Sequence, residues 1–375
     1  FLAVAVAVAV AAPAAFAQNF GVVESDGSAE GYTLFAPVRG TGVYLIDTDG
    51  RLVHQWDDPD GYSVAEQKLS ERGTLVRAAA IGGVAKEGIV DWGAGGGRHG
   101  LIREQDWDGT LLWDFLYHTD DVLAHHDFEL MPNGNVLITA YERFTYEKCM
   151  DRNLPAGVCP AMGGRTDHLI EVTPDYVTGE GGDIVWEWHL WDHLLEEGME
   201  PVEHPGLWDT RNGWANFNGI DYHPELDQIL IGCNACDEMF IIDHDTTTEL
   251  AAGPDGDFMY RWGNPANYGG EGERKIGFLH YAHWIKNEFG INLGSDKNKG
   301  QRKKAERNNV GNILVFNNRY PSMASSSVIE IEPPLKEDGT YGPGPADFAV
   351  FLTEVTDSTG TNTFASPFLC SAQKL

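Results

Sequence analysis

Basic residues are scarce in this chain. Lys and Arg number 26 against 57 Asp plus Glu, a formal net charge of −31. So acidic a molecule repels nucleic-acid phosphates and anionic lipid headgroups, and neither partner is expected. Long apolar runs are missing after the first twenty positions. No later window reaches the ~18 apolar residues a membrane helix needs, so the mature chain is expected to carry no span. Cysteine is sparse too, five in 375 residues. "CNAC" (233–236) has neither the second pair of a zinc site nor a strand-to-helix setting, so a local disulfide or two buried thiols fit it better than metal. "DTDG" and "DWDG" lack the spaced Glu that completes a calcium loop and read as hairpin turns. "GGGRHG" (95–100) has dinucleotide-loop spacing, but two strands follow it instead of a helix. A serine nucleophile elbow is absent. No cofactor is expected.

What is abundant points to β-structure. The chain has 11 Trp, 13 Tyr, 17 Phe and 44 Gly, a balance suited to many short strands and tight turns. "FLAVAVAVAVAAPAAFAQ" ends in Ala15-Phe16-Ala17, the small-x-small pattern of a secretory cleavage site. Residues 1–17 are therefore expected to be a signal peptide whose start lies upstream, with a mature chain beginning near Gln18 and exported to the periplasm or exterior. In that oxidising setting Cys149 and Cys159, flanking "CMDRNLPAGVC", form a plausible disulfide, and Cys370 is left over.

Two patterns alternate along residues 18–375. In the first, an aliphatic strand, an Asp/Gly turn and an aromatic-ended strand follow one another: "VYLIDTDGRLVHQW" (43–56), "GLIREQDWDGTLLWDF" (100–115), "HLIEVTPDYVTGEGGDIVWEW" (168–188), "MFIIDHDTTTELAAGPDGDFMYRW" (239–262) and, more loosely, 327–352. In the second, a short strand and a polar turn lead into an aliphatic strand: "AEQKLSERGTLVRA" (65–78), "HHDFELMPNGNVLI" (125–138), "FNGIDYHPELDQILI" (217–231), and "HYAHWI" resuming at "GNILVFNN". One copy of each makes four strands. Recurrence every ~60–90 residues predicts an all-β, single-domain β-propeller of four-stranded blades. A basic segment, 287–310, interrupts the pattern and reads as a solvated insertion. "SAQKL" (371–375) repeats the opening of a blade, so the chain is expected to break off within one.

Propeller chemistry sits where innermost strands converge, and the second pattern begins each blade there. His125, His126 and Asp127, then Asn216 and Asn218, then His280 and His283 are thus expected near one axis. Alternation sets His283 on the other face as a structural group, while His125 and His223 are ambiguous between structure, catalysis and metal. "HHDFELMPNGNVLI", "VWEWHLWDHL", "NGIDYHPELDQILI", "FIIDHD", "YRWGNPANYG" and "GNILVFNN" together resemble the secreted arylsulfate sulfotransferase family over nearly all of residues 30–375. The resemblance implies a six-bladed propeller that moves a sulfuryl group from an aryl sulfate to a phenol without a nucleotide donor, through a sulfohistidine. It sets His280 of "FLHYAHW" at the nucleophile and His126 of "HHDFE" at a supporting catalytic position. Asn218 matches a polar channel residue. Asn216 stands where the family usually has a histidine and Asn234 where it has an arginine; these, with Asp127, are the expected substrate-binding residues, and Arg261 or Arg319 are candidates to supply the missing guanidinium. The same residues also fit a non-catalytic binding module or an aryl sulfate hydrolase. Oligomeric state is not legible.

Overall fold

A computed structural model describes residues 31–81, 92, 97–151, 159–194, 215–268, 270–286, 311–319, 326–344 and 347–352. Nineteen strands lie among them in five antiparallel sheets. The first has three: β1 (Tyr32–Phe35), β2 (Gly42–Asp47) and β3 (Leu52–Asp57). The second runs β4 (Ser63–Leu69), β5 (Leu75–Ala80), β6 (Gly100–Gln105) and β7 (Leu111–Leu116). The third is β8 (Val122–Leu130), β9 (Val136–Phe144), β10 (Gly164–Pro174) and β11 (Gly182–His189). The fourth is β12 (Phe217–His223), β13 (Gln228–Cys233), β14 (Glu238–Asp243) and β15 (Phe258–Trp262). The fifth is β16 (Tyr281–Trp284), β17 (Ile313–Asn317), β18 (Ser327–Glu332) and β19 (Asp347–Leu352). Spatial order follows chain order in every sheet, as hairpin-linked strands require. Gly134, at φ 87°, supplies the left-handed residue of the β8–β9 turn, which closes with Gly134 N donating to Met131 O at 2.9 Å.

Both faces of the inner sheets are buried, and alternation decides what each face meets. On β13, Ile229 and Ile231 pack with Leu137, Leu169 and Trp188 of the third sheet. Leu230, between them, packs with Ala282, Trp284 and Val315 of the fifth. Val76 and Ile102 of the second sheet meet Phe128, Ile138 and Ile170 of the third in the same way, and Val43 and Trp56 of the first meet Val64 and Leu75 of the second. A sheet sandwiched by its sequence neighbours on either side is a propeller blade. Innermost strands run side by side: β8 packs on β12, β12 on β16 and, less extensively, β4 on β8.

Two recurring polar clasps join the blades. Near the axis, Asp127 Oδ2 accepts from Ile220 N of the next blade at 2.9 Å, and Asp221 Oδ2 from Trp284 N at 2.8 Å. At the rim, the outermost-strand indoles Trp56, Trp113 and Trp188 donate to turn carbonyls of the following blade, at Asp106 O, Gly181 O and Gly256 O (2.9, 2.6 and 2.7 Å). The expected repeat is present with its predicted phase. The blade number is corrected: the described residues form five blades, not six. The repeat itself supplies five copies of the aromatic-ended pattern and is compatible with closure at five or six blades; the family resemblance favours six. The first blade also has three strands where its sequence suggested two, because "YTLF" pairs with β2. Its Trp56 marks β3 as the rim strand. The signal segment, the insertion at 287–310 and Cys370 fall outside the described residues. No helix among those described is long and apolar enough to cross a membrane.

Candidate active site

Bulges deliver the polar side chains. The β8–β9 ladder pairs Ala124 with Ala140 and then Phe128 with Ile138. Three residues, His125, His126 and Asp127, are thus set against Thr139 alone, and its hydroxyl lies against both the His125 and Asp127 carbonyls. Such irregularities re-aim side chains beside active sites. His126 sits at φ 54°, a conformation that costs a non-glycine residue energy and is tolerated where the surroundings impose it. Its N–H donates to Gly97 O, and its ring lies so close that a Cβ on Gly97 would sit 2.3 Å from it. On β12 the register jumps from Phe217–Cys233 to Gly219–Gly232, leaving Asn218 out of the ladder. His280 immediately precedes β16.

His280 has a defined tautomer. Its Nδ1 lies 2.9 Å from Asn318 Oδ1 and 3.1 Å from the Phe278 carbonyl. Both are acceptors, so Nδ1 carries the proton and Nε2 the lone pair. Burial lowers its pKa, opposed by these two bonds, and Arg319 nearby lowers it further. His126 is held well below the ordinary imidazole range by burial, then by its neighbours His125, His280 and His99. The two expected imidazoles are therefore brought together, and both are neutral at pH 7.

Behind His126 runs a buried chain. His126 Nδ1 is 2.7 Å from His125 Nδ1, and His125 Nε2 is 3.1 Å from Asp167 Oδ1. His125 stacks on Tyr141 with ring centroids 3.6 Å apart. Burial pushes the Asp167 carboxyl up to about 7, with the Phe217 N–H and Arg165 pulling the other way. Tyr141 OH donates to Asn216 Oδ1 at 2.5 Å, and Asn216 Nδ2 to Asn218 Oδ1 at 3.1 Å. Asn216 is thus joined to the His125 stack through Tyr141, and Asn218 to it through Asn216.

Two expected ligand-binding residues are engaged in bonds within the protein. Asn234 is 4% exposed, and its amide donates to Leu279 O at 2.9 Å. It braces the backbone beside His280. Asp127 is spent on the inter-blade clasp, on Phe128 N at 2.8 Å and on Lys68 at 3.2 Å. Arg261 is held by Glu238 at 2.9 Å and does not reach the site. Positive charge comes from three other places. Arg165 lies over the Tyr141 ring at 4.3 Å and bears on both His125 and His126. Arg98 forms a β-bridge with His125, and Arg319 lies 3.6 Å over Phe278, beside His280. Sequence reasoning missed Arg98 and Arg165. Arg98 and the fully buried His99 come from "GGGRHG", whose Gly97 admits the His126 ring; the failed dinucleotide motif was the signal.

His283 packs with its Nδ1 unpartnered and its pKa lowered to about 4 by burial, a structural group as expected. His223 accepts from Leu226 N at 3.3 Å and sits edge-on to Trp284, which makes it structural too. Glu142, His168 and His189 bring three ligand-type atoms within 4.8 Å. His189 is already bonded to Glu142 and Glu187, and His168 to Tyr117. The two rings lie parallel within 3°, so their lone pairs do not converge on one point. Disulfides join Cys149 to Cys159 and Cys233 to Cys236, closing the "CNAC" turn that carries Asn234.

A propeller with paired neutral imidazoles at the mouths of its inner strands is the class this fold and site define. The family follows from sequence: residues 39–325 match the model for Arylsulfotransferase (ASST), and the chain belongs to that family, which supports an arylsulfotransferase-like function in general terms. The chain matches no curated protein sequence. Similar solved structures include Kuenenia stuttgartiensis hydrazine synthase, at 14% identity, TM-score 0.42, and coverage of 76% of this chain and 64% of that one. The Myceliophteria thermophila Cps50 (Swd1) β-propeller domain matches at 11% identity and TM-score 0.42, over 85% and 69% of the two chains. Kluyveromyces lactis Hsv2 matches at 6% identity and TM-score 0.34, over 87% and 84%. The chain thus spans under two thirds of the hydrazine synthase chain.

Proposed function

We infer that the protein is an exported aryl sulfate sulfotransferase that uses His280 as nucleophile. The observation that carries this reading is the His280 tautomer, with Nδ1–H committed to Asn318 and Phe278 and a neutral Nε2 left to attack. In the donor half-reaction an Nε2–S bond forms as the sulfur–phenolate bond breaks, and His126 is placed to serve the departing oxygen. In the acceptor half-reaction a phenol oxygen takes the sulfuryl group and Nε2 leaves. Arg165, Arg98 and Arg319 supply the field that stabilises the anionic group in transit. They stand in for the arginine that Asn234 replaces. Asn216 and Asn218 offer amides to the sulfuryl or phenol oxygens. Two disulfides and a chain of net charge −31 suit an oxidising exterior.

The test is release of 4-nitrophenol from 4-nitrophenyl sulfate with and without added phenol, together with mass spectrometry of the quenched protein. Acceptor-stimulated release, and a sulfuryl adduct on the His280 peptide that is lost in His280→Ala, are expected. Release that ignores the acceptor would make the protein a hydrolase. No release from folded protein would leave the binding-module reading.

A further inference from the structure

Sulfuryl transfer between phenols needs a proton delivered to one phenolate oxygen and later withdrawn from another, and a single buried imidazole has nowhere to send it. The groups aligned behind His126 answer this need. His126 Nδ1 and His125 Nδ1 lie 2.7 Å apart, so one proton is held between them. At the other end His125 Nε2 lies 3.1 Å from Asp167 Oδ1 without hydrogen-bond alignment; this nitrogen makes no hydrogen bond among the described residues, so a turn of the buried carboxyl must close the last link. His125 and Asp167 are fully shielded from water, at 0% and 0% exposure of their side chains, and Asp167 Oδ2 has no hydrogen-bond partner. Stacking on Tyr141 holds the His125 ring in place.

We propose that Asp167, His125 and His126 form a proton relay that serves the phenol oxygen in both half-reactions. This rests on the sulfotransferase reading above. When the sulfur–oxygen bond of the donor breaks, its electron pair stays on the phenolate, which takes the Nε2 proton of His126. His126 Nδ1 takes the Nδ1 proton of His125, and His125 Nε2 takes the carboxyl proton of Asp167. The acceptor phenol reverses each transfer as the His280 N–S bond breaks, so protons and charges balance over the cycle. A carboxylate is thus created while His280 carries its sulfuryl group and Nδ1 proton, which offsets the positive charge developing on that ring. A carboxyl raised to about 7 is suited to hold this proton between turnovers. The charged and titratable groups facing the relay are Arg165, Glu142 and Tyr141 toward Asp167, Arg98, Arg165, His99, His168 and Tyr141 toward His125, and His99, His280 and Arg165 toward His126. His125 and Asp167 act through His126 and are positioning residues.

Leaving-group dependence reads this role and would not respond to a merely structural one. Asp167→Asn keeps an acceptor for Phe217 N but holds no carboxyl proton; His125→Gln keeps a polar group but cannot pass one along. In either variant of the full chain, kcat/KM should fall about 100-fold or more with phenyl sulfate, whose phenolate is a poor leaving group, and under about 10-fold with 4-nitrophenyl sulfate. Near-UV circular dichroism and Tm show that the variant is folded. Equal losses on both esters, or no loss on either, overturn the relay while leaving the sulfotransferase reading intact. A wild-type protein inert toward both esters overturns that reading, and the relay with it.

Discussion

Asn318 decides which nitrogen of His280 can react. With its carbonyl gone, the imidazole retains only the 3.1 Å contact to Phe278 O to hold the tautomer. Asn318→Ala is expected to lower kcat about 10- to 100-fold with little change in KM; a large KM effect instead would place Asn318 against the substrate. Gly97 is a sharper case. It sits at φ 73° against the His126 ring, so Gly97→Ala adds backbone strain and expels the imidazole together. Loss of activity beyond about 10-fold, with Tm lowered by only a few degrees, is expected from paired kinetic and thermal measurements. The pH dependence follows from burial. The attacking form of His280 is neutral, and its pKa is lowered, so activity is present above that pKa and lost as pH falls through it. The acid limb of kcat/KM should therefore lie below the ordinary imidazole value of about 6.5; a limb above that value would contradict the assignment. His126 and His280 were legible because each heads a repeated strand pattern. Arg165, Asp167 and Asn318 were not, because the first two lie on the third strand of their blade and Asn318 just after the second strand of its own, away from the inner-strand heads, and they meet the imidazoles only through folding. Asn318 even lies within a quoted motif, with nothing in the string to separate its role from that of Asn317.

Strands and blades show what alternation encodes and what it omits. Ile229, Leu230 and Ile231 read as a continuous apolar run, and the fold assigns alternate members to different neighbouring blades. The four-strand repeat was legible for this reason. The bulges were not, since three residues opposite Thr139 leave no periodic signature. The inner clasp makes the consequence measurable. Asp221 is 2% exposed, accepts from Trp284 N at 2.8 Å and pairs with Lys286 at 2.5 Å. Asp221→Ala strands a buried N–H and leaves Lys286 only its longer contact to Glu129, at a cost of about 3 kcal/mol. Asp221→Asn keeps an acceptor for Trp284 N and should cost about half as much in denaturant unfolding. Equal costs would show that the ion pair, not the backbone bond, joins the fourth and fifth blades.

The molecule as a whole should show two opposed pH dependences. His99 and His168 are pushed down to about 3 by burial, whereas an unfolded imidazole titrates near 6.5. Between those values the unfolded chain binds protons that the fold refuses, so stability is lost as pH falls below 6.5. Glu66 and Asp167, raised to about 7 chiefly by burial, act in the other direction. The fold holds protons that free carboxylates release near pH 4, so their contribution is lost as pH rises toward 7 and is fully gone above it. Above pH 6.5 the share of the histidines fades, ending near pH 7.5, while the carboxyls still act. Stability should therefore peak near pH 6 and decline toward pH 8. For a group titrating at about 7 when folded and near 4 when unfolded, that decline amounts to about 1.4 kcal/mol between pH 6 and 8. Asp167→Asn cannot ionise and should remove this share, shifting the stability maximum to higher pH. Calorimetry from pH 5 to 8 on both proteins checks it. Parallel curves would mean that Asp167 is already ionised in the fold, with its proton lost to water that the buried chain beside His125 has been taken to exclude.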